Sequence, residues 1–174
     1  MRVPGTLVAL GALICLVVLL TPPGTVVGQA EPEVAAAEDE FVELATYMNR
    51  LQTLTHKLAL SVEHSNHRLA KFYLYESLEA LKDIKTDVPE YRGLPIALLI
   101  DQLSTEKYAA LELAIQADEV APGGAGEKAK SPAAFAAVIQ SCNQCHEVTQ
   151  HGFIKVPSMS GGNPFLQDFK PSKP

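Results

Sequence analysis

Hydrophobic residues recur at intervals of three and four positions along most of this chain, which is the period of an amphipathic helix. Proline, glycine and short polar stretches separate the periodic segments, and no alternation typical of a β-strand stands out. Four helices are therefore predicted: helix A over about Asp39–His64, helix B over Asn66–Lys85, helix C from Leu94, and helix D from Ser131 until Gly152 ends it.

Each predicted helix carries an apolar stripe with which it can pack against its neighbours. Most of the links between the helices are short, so consecutive helices are expected to run antiparallel. The pattern predicts an all-α fold, an antiparallel up-down-up-down four-helix bundle with an irregular C-terminal tail. The predicted stripes are Phe41, Leu44, Met48, Leu51, Leu58 and Val62 in helix A; Leu74, Leu78 and Leu81 in B; Leu99, Leu103, Ala110 and Leu113 in C; and Phe135, Val138, Ile139, Cys142 and His146 in D.

The first 30 residues have the layout of a secretory signal peptide. Arg2 precedes the uncharged stretch Leu7–Leu20, and small residues ending at Ala30 offer a cleavage point. Export to the periplasm or an equivalent extracytoplasmic compartment is expected, with an uncleaved anchor as the alternative. The predicted organisation is a signal peptide over residues 1–30, a disordered lead-in over 31–38, the four-helix bundle over 39–151, and the irregular tail over 152–174.

The charge of the chain limits its partners. Its formal net charge is −6, and removal of the signal segment, which takes away Arg2 and no acidic residue, makes it −7. No stripe of lysine and arginine is present, so a nucleic-acid partner is not expected. An acidic protein can be steered toward a partner with a basic docking surface, although the same charge also serves solubility alone.

The motif Cys142-Asn143-Gln144-Cys145-His146 has the spacing of a covalent haem attachment site. Two thiols can add to the two vinyl groups on one edge of a haem while an imidazole reaches the iron. Residues at positions i, i+3 and i+4 of a helix share a face, so Cys142, Cys145 and His146 can all serve one porphyrin. The sequence therefore predicts a covalent haem c, with His146 as the proximal iron ligand.

Three other interpretations of the motif compete with haem. Cys142, Cys145, His146 and His151 could form a structural zinc site, although zinc fingers separate their cysteine pair from their histidine pair by about a dozen residues. A thioredoxin-like redox pair is expected near a βαβ pattern, which is not visible here. A disulfide between the two cysteines suits an exported protein but leaves His146 unexplained. The remaining cysteine, Cys15, lies in the predicted signal segment.

An exported four-helix pattern with one C-x-x-C-H motif late in its last helix resembles cytochrome c-prime, a four-helix-bundle haem protein. The resemblance covers about Asp39–His151, and its specific motif is Cys142–His146. It implies a homodimer through the first two helices as an expected arrangement. Two features depart from the family: Gln150 stands where an arginine or lysine is usual, and the tail beyond His146 is longer.

The sixth position of the iron decides among the function classes. Family members place a hydrophobic residue or a methionine of the first helix over the distal face, and Met48 occupies the corresponding place. With Met48 as distal ligand, the protein is expected to be a single-electron carrier rather than an enzyme. With an open sixth position, the haem would bind nitric oxide or carbon monoxide. His56, His151 and Met159 are further candidate ligands for the sixth position. A peroxidase is the least favoured class, because no distal base or cation lies on the predicted stripe.

Overall fold

The computed structural model describes residues 33–121 and 129–171 of the chain. Within these ranges there are helices and no strand, which confirms the predicted all-α class. The predicted signal segment, residues 1–30, lies outside the described residues, and no described helix is long and apolar enough to cross a membrane. The helices are α1 (Glu33–Glu63), α2 (His67–Asp87), α3 (Ile96–Leu103), α4 (Thr105–Val120) and α5 (Ser131–Val148).

Helices α1 and α2 correspond to predicted helices A and B and pack along each other. α1 begins at Glu33, inside the segment predicted as a disordered lead-in. The hydroxyl of Tyr47 on α1 donates a hydrogen bond to Asp87 (2.6 Å) at the last residue of α2. One turn further along α1, Arg50 pairs with Asp83 (2.6 Å), one turn earlier in α2. The two helices therefore run in opposite directions.

Predicted helix C is two helices, because α3 ends and α4 begins at Ser104. The hydroxyl of Ser104 lies 3.2 Å from that of Ser141 on α5. Both serines are buried. Buried polar groups are almost always hydrogen-bonded, and here each hydroxyl is a partner for the other. The described part of the chain thus has five helices where four were predicted.

The buried face of α3 and α4 is displaced by one residue from the predicted stripe. Leu113, a member of that stripe, is 67% exposed, whereas Leu111, two residues earlier, is fully buried. The observed face includes two polar residues, Ser104 and Asp118, and a hydrophobic pattern assigns such residues to the surface. Their hydrogen bonds to other elements offset the cost of burying them. The face consists of Ile96, Ile100, Ser104, Tyr108, Leu111, Ala114, Ile115 and Asp118.

Asp118 connects the end of α4 to the start of α5. Its carboxylate accepts hydrogen bonds from the backbone N–H groups of Lys130 (2.9 Å) and Ser131 (2.8 Å). Burial raises the pKa of Asp118, but these hydrogen bonds more than compensate, and the pKa lies below its ordinary value. Because the first turn of a helix leaves its N–H groups without partners inside the helix, a carboxylate there stabilises it. Asp118 therefore fixes where α5 begins.

The remaining contacts between helices surround one core. α5 packs against α1, α3 and α4, and α2 packs against α1, α3 and α4. An ion pair between Lys71 and Glu119 (2.7 Å) joins the beginning of α2 to the end of α4. Leu58, Ile115 and Val138, which come from α1, α4 and α5, are completely buried between these helices.

Residues 149–171 contain neither helix nor strand, yet they pack closely on the helices. Phe169 is 1% exposed, and its ring lies against Tyr73 of α2 with 6.2 Å between the ring centroids. The hydroxyl of Tyr73 donates to the side chain of Gln167 (2.6 Å). Both the backbone N–H and the hydroxyl of Ser160 donate to Glu63 at the end of α1 (2.7 Å each). This C-terminal segment is therefore attached to both α1 and α2.

The displaced face of α4 can be tested with two leucines of that helix. Leu111→Ala should lower the free energy of unfolding by about 2–5 kcal/mol, because it opens a cavity at a fully buried site. Leu113→Ala, at an exposed site two residues away, should change it by less than about 0.5 kcal/mol. Urea denaturation followed by circular dichroism measures both, and a larger loss for Leu113→Ala would mean that the buried face is wrongly assigned.

Candidate functional site

The last two turns of α5 carry the three residues of the C-x-x-C-H motif. Cys142, Cys145 and His146 are all half-buried, and Cys142 packs against the hydrophobic core. The same helix face begins with Phe135, Val138 and Ile139, which are buried. Neither cysteine of the motif forms a disulfide. Burial therefore decreases along this face toward the end of the helix, where two thiols and one imidazole are partly accessible.

The imidazole of His146 has a defined hydrogen bond. Its Nδ1 lies 2.9 Å from the backbone carbonyl oxygen of Ile154. Since a carbonyl oxygen only accepts, Nδ1 must carry the hydrogen and donate it. In a neutral ring the lone pair is then on Nε2, which is the arrangement expected of a histidine that binds a metal through Nε2.

The end of α5 explains how Ile154 comes to lie beside His146. The helix ends at Val148, earlier than the predicted end at Gly152, and Gln150 adopts a left-handed conformation (φ 63°). The N–H of Gln150 donates to the carbonyl of Glu147 (3.1 Å), and that of His151 donates to the carbonyl of His146 (2.6 Å). These two bonds form a Schellman motif, which reverses the chain at the end of a helix.

Asn143, between the two cysteines, holds the returning chain. Its side-chain amide donates to the carbonyl of Val156 (2.9 Å), and its carbonyl oxygen accepts from the N–H of Val156 (2.8 Å). Sequence reasoning missed this residue, because the two positions between the cysteines carry no required chemistry in a C-x-x-C-H motif. No periodic pattern in the tail pointed to Val156 either.

The electrostatics of the thiols differ from those of a redox pair. Burial raises the pKa of Cys142 to about 11, and the neighbouring Cys145 contributes to the increase. Burial also raises the pKa of Cys145. Reactive cysteines of thiol oxidoreductases have lowered pKa values, and zinc is bound by thiolates. Neutral thiols therefore disfavour an activated redox pair, whereas a bound zinc ion would itself deprotonate the thiols that coordinate it.

The four residues of the alternative zinc site are not assembled as a metal cluster. Across residues 33–121 and 129–171, no group of three or more histidine, cysteine or acidic side chains is placed to hold a metal ion. The Nδ1 of His151 lies 2.7 Å from the carbonyl oxygen of Thr149. Its ring packs beside Tyr91, with 5.8 Å between the ring centroids. His151 is thus engaged at the helix end.

A buried tyrosine of α4 lies close to Cys142. Tyr108 of α4 is 1% exposed, and its hydroxyl makes no hydrogen bond of good geometry. Burial raises the pKa of this hydroxyl, and Cys142 contributes to the increase, whereas Thr55 lowers it. Two neutral thiols and an imidazole with an available Nε2 are the groups that a covalently attached haem requires.

The residues considered for the sixth iron position are distributed over α1 and the tail. Met48 is half-buried and packs against the same core as Cys142. His56, about two turns later in α1, has its Nε2 3.0 Å from the carbonyl oxygen of Gly162. His56 and Met159 both line a cavity of about 110 Å³ between α1, α5 and the tail, and Met48 does not line it. The other lining residues are Gln52, Thr55, Ala59, Phe135, Ile139, Val156, Pro157 and Ser160.

The size of this cavity limits what it can hold. An engineered protein cavity of about 150 Å³ holds one benzene molecule, so a cavity of about 110 Å³ suits a diatomic gas or water and excludes a porphyrin. No protein-family model, curated protein or solved structure matches the chain. A proposal for the function of this chain therefore rests on the residues of the site itself.

The protonation of the thiols can be measured on protein produced without haem. Alkylation of Cys142 by iodoacetamide in a Cys145→Ser variant should be slow near pH 7 and accelerate well above it, because only the thiolate reacts and burial still raises the pKa of Cys142 when the contribution of Cys145 is removed. An unfolded cysteine has a pKa of about 8.5, so the folded protein should also lose stability as the pH rises above that value. Rapid alkylation below about pH 7 would instead indicate an activated redox cysteine.

Proposed function

We propose that this chain is a mono-haem c-type cytochrome that transfers single electrons outside the cytoplasm. Haem is attached through Cys142 and Cys145, with His146 as the proximal iron ligand. The observation that carries the proposal is the hydrogen bond from Nδ1 of His146 to Ile154 (2.9 Å), which leaves Nε2 for iron on the helix face that holds both thiols. A structural histidine in a simple disulfide or redox site needs no such arrangement.

The proposed architecture is a four-helix up-down-up-down bundle of the cytochrome c-prime type, in which α3 and α4 together act as one bent third helix. Its support is the order of packing: α1 against α2, α2 against α4, α4 against α5 and α5 against α1. The pairs Arg50–Asp83 and Lys71–Glu119 support antiparallel neighbours. Signal cleavage, a basic redox partner and a homodimer belong to the same proposal and follow from the sequence pattern and its resemblance.

In this proposal the residues of the chain bind and orient the group. Cys142 and Cys145 would hold the haem through two thioether bonds, and since both the sulfur and the hydrogen of each thiol would add to one vinyl group, no oxidant would be consumed. His146 keeps one ring orientation because Ile154 holds its Nδ1–H. The buried residues of α4 and α5 exclude water from the Cys142 side. Bound haem supplies an iron that takes up and releases one electron.

Met48 is the proposed distal ligand. α1 packs against α5, and Met48 and Cys142 are both half-buried residues that pack against the same hydrophobic core. His56 is a weaker candidate, because its Nε2 is engaged with Gly162. If Met48 does not ligate the iron, the alternative function is binding of nitric oxide or carbon monoxide by a five-coordinate haem.

Covalent attachment gives a direct test. The protein, expressed with a haem-maturation system, should retain haem through denaturing electrophoresis and gain the mass of one haem. Cys142→Ala and Cys145→Ala should each lose one thioether bond, and the double variant should lose all covalent haem. The control variant His151→Ala changes the histidine that is nearest to His146 in the sequence, and it should retain the covalent haem. A haem-free protein that binds zinc stoichiometrically would contradict the proposal.

The choice between carrier and gas binder depends on Met48. If Met48 ligates iron, the ferric protein should be low-spin with a weak far-red band, and Met48→Ala should make it high-spin and reactive with carbon monoxide. His56→Ala serves as the control and should leave the spectrum unchanged. A wild-type protein that is already high-spin would favour gas binding, and a low-spin spectrum lost only in His56→Ala would assign the ligand to that histidine.

A further inference from the structure

The chain leaves α5 and returns along its last turns, where it is held at two points. The first point is the hydrogen bond between Nδ1 of His146 and the carbonyl of Ile154 (2.9 Å). The second is the pair of hydrogen bonds between the Asn143 amide and the backbone of Val156 (2.9 and 2.8 Å). Asn143 lies three residues before His146, and Val156 lies two residues after Ile154, so the two contacts are adjacent.

The pair of bonds at Asn143 restrains Val156 more than a single bond would. One side chain supplies both a donor and an acceptor to the backbone of one residue, so it fixes the orientation of that residue as well as its distance. The other end of the returning segment is fixed by the left-handed turn at Gln150 and by the hydrogen bond from the N–H of Ile154 to the carbonyl of His151 (2.8 Å). The carbonyl of Ile154 is thus positioned from both sides.

Apolar burial restrains Val156, which packs against the hydrophobic core, but not the residues just before it. Ile154 is 46% exposed and Phe153 is 80% exposed, so hydrophobic packing does not hold this part of the segment on α5. On the C-terminal side of Ile154, Lys155 forms an ion pair with Glu147 of α5, and the hydrogen bonds of Asn143 fix the orientation of the Val156 backbone. Removing the amide is expected to let the carbonyl of Ile154 move away from His146, while the core beneath stays intact.

We propose that Asn143 is a positioning residue for the proximal iron ligand: by holding Val156 it keeps the Ile154 carbonyl on Nδ1 of His146. This inference rests on the proposed haem function. A carbonyl that accepts from Nδ1–H makes Nε2 a stronger donor to a metal, and a stronger donor favours the oxidised iron. Asn143 therefore lowers the reduction potential of the protein without touching the haem iron itself.

The first arm of the test uses haem-free protein, so it does not depend on haem attachment. Nitrogen-15 spectra of the His146 ring should show the Nδ1–H tautomer in the wild-type protein and loss of that preference in Asn143→Ala. Tyr73→Phe is the matched control: it removes a different hydrogen bond to the tail, to Gln167, and should leave the tautomer unchanged. An unchanged tautomer in a folded Asn143→Ala variant would overturn the inference.

The second arm uses the haem-loaded proteins. Asn143→Ala should raise the reduction potential by an amount on the order of a tenfold change in the ratio of oxidised to reduced protein, about 59 mV for one electron. Asn143→Asp, which keeps the acceptor for the Val156 N–H and loses the donor, should give a smaller increase, and Tyr73→Phe none. Equal potentials in all four haem-loaded proteins would refute the role of Asn143. Failure of the wild-type protein to bind haem would refute the proposed function alone, because the tautomer measurement still decides the positioning role.

Discussion

One face of α5 has to pack into the core and also present the residues of the motif. Phe135, Val138 and Ile139 occupy the buried part of this face, and Cys142 and His146 follow at helical spacing where the burial decreases. A shift of α5 along its axis would expose the first group or bury the second. The helix is held against such a shift at both ends, by Asp118 at its start and by the turn at Gln150 after its end.

The partial burial of the motif has a chemical consequence. Low polarity around the thiols disfavours their charged forms, which explains why the pKa of Cys142 is raised to about 11. Reactions of the thiolate are therefore disfavoured. A neutral thiol can still add across a carbon–carbon double bond, with the sulfur on one carbon and the hydrogen on the other. The same burial would exclude water from an attached group, which is one means by which a protein adjusts the potential of a haem.

The sequence predicted the parts of the structure that depend on local pattern. The apolar face of α5 and the all-α class follow from helical periodicity, and the C-x-x-C-H spacing indicated the candidate site. The face of α3 and α4 was displaced by one residue, because Ser104 and Asp118 are buried by hydrogen bonds to other elements. The contact of Ile154 with His146 was not predictable either, since it joins an irregular segment to a helix without any periodic signal.

The tail extends the site beyond the helices on which its motif lies. Phe169, which is 1% exposed, anchors the far end of the tail in the core, whereas Ile154 near the site contacts His146 through an exposed hydrogen bond. Exposed hydrogen bonds with few apolar contacts mark the regions of a protein that open locally at the lowest free energy. The proximal side of the proposed haem is thus controlled by one of the less stable parts of the chain. The hydrogen bond between Ile154 and His146 can therefore change while the helical core remains folded.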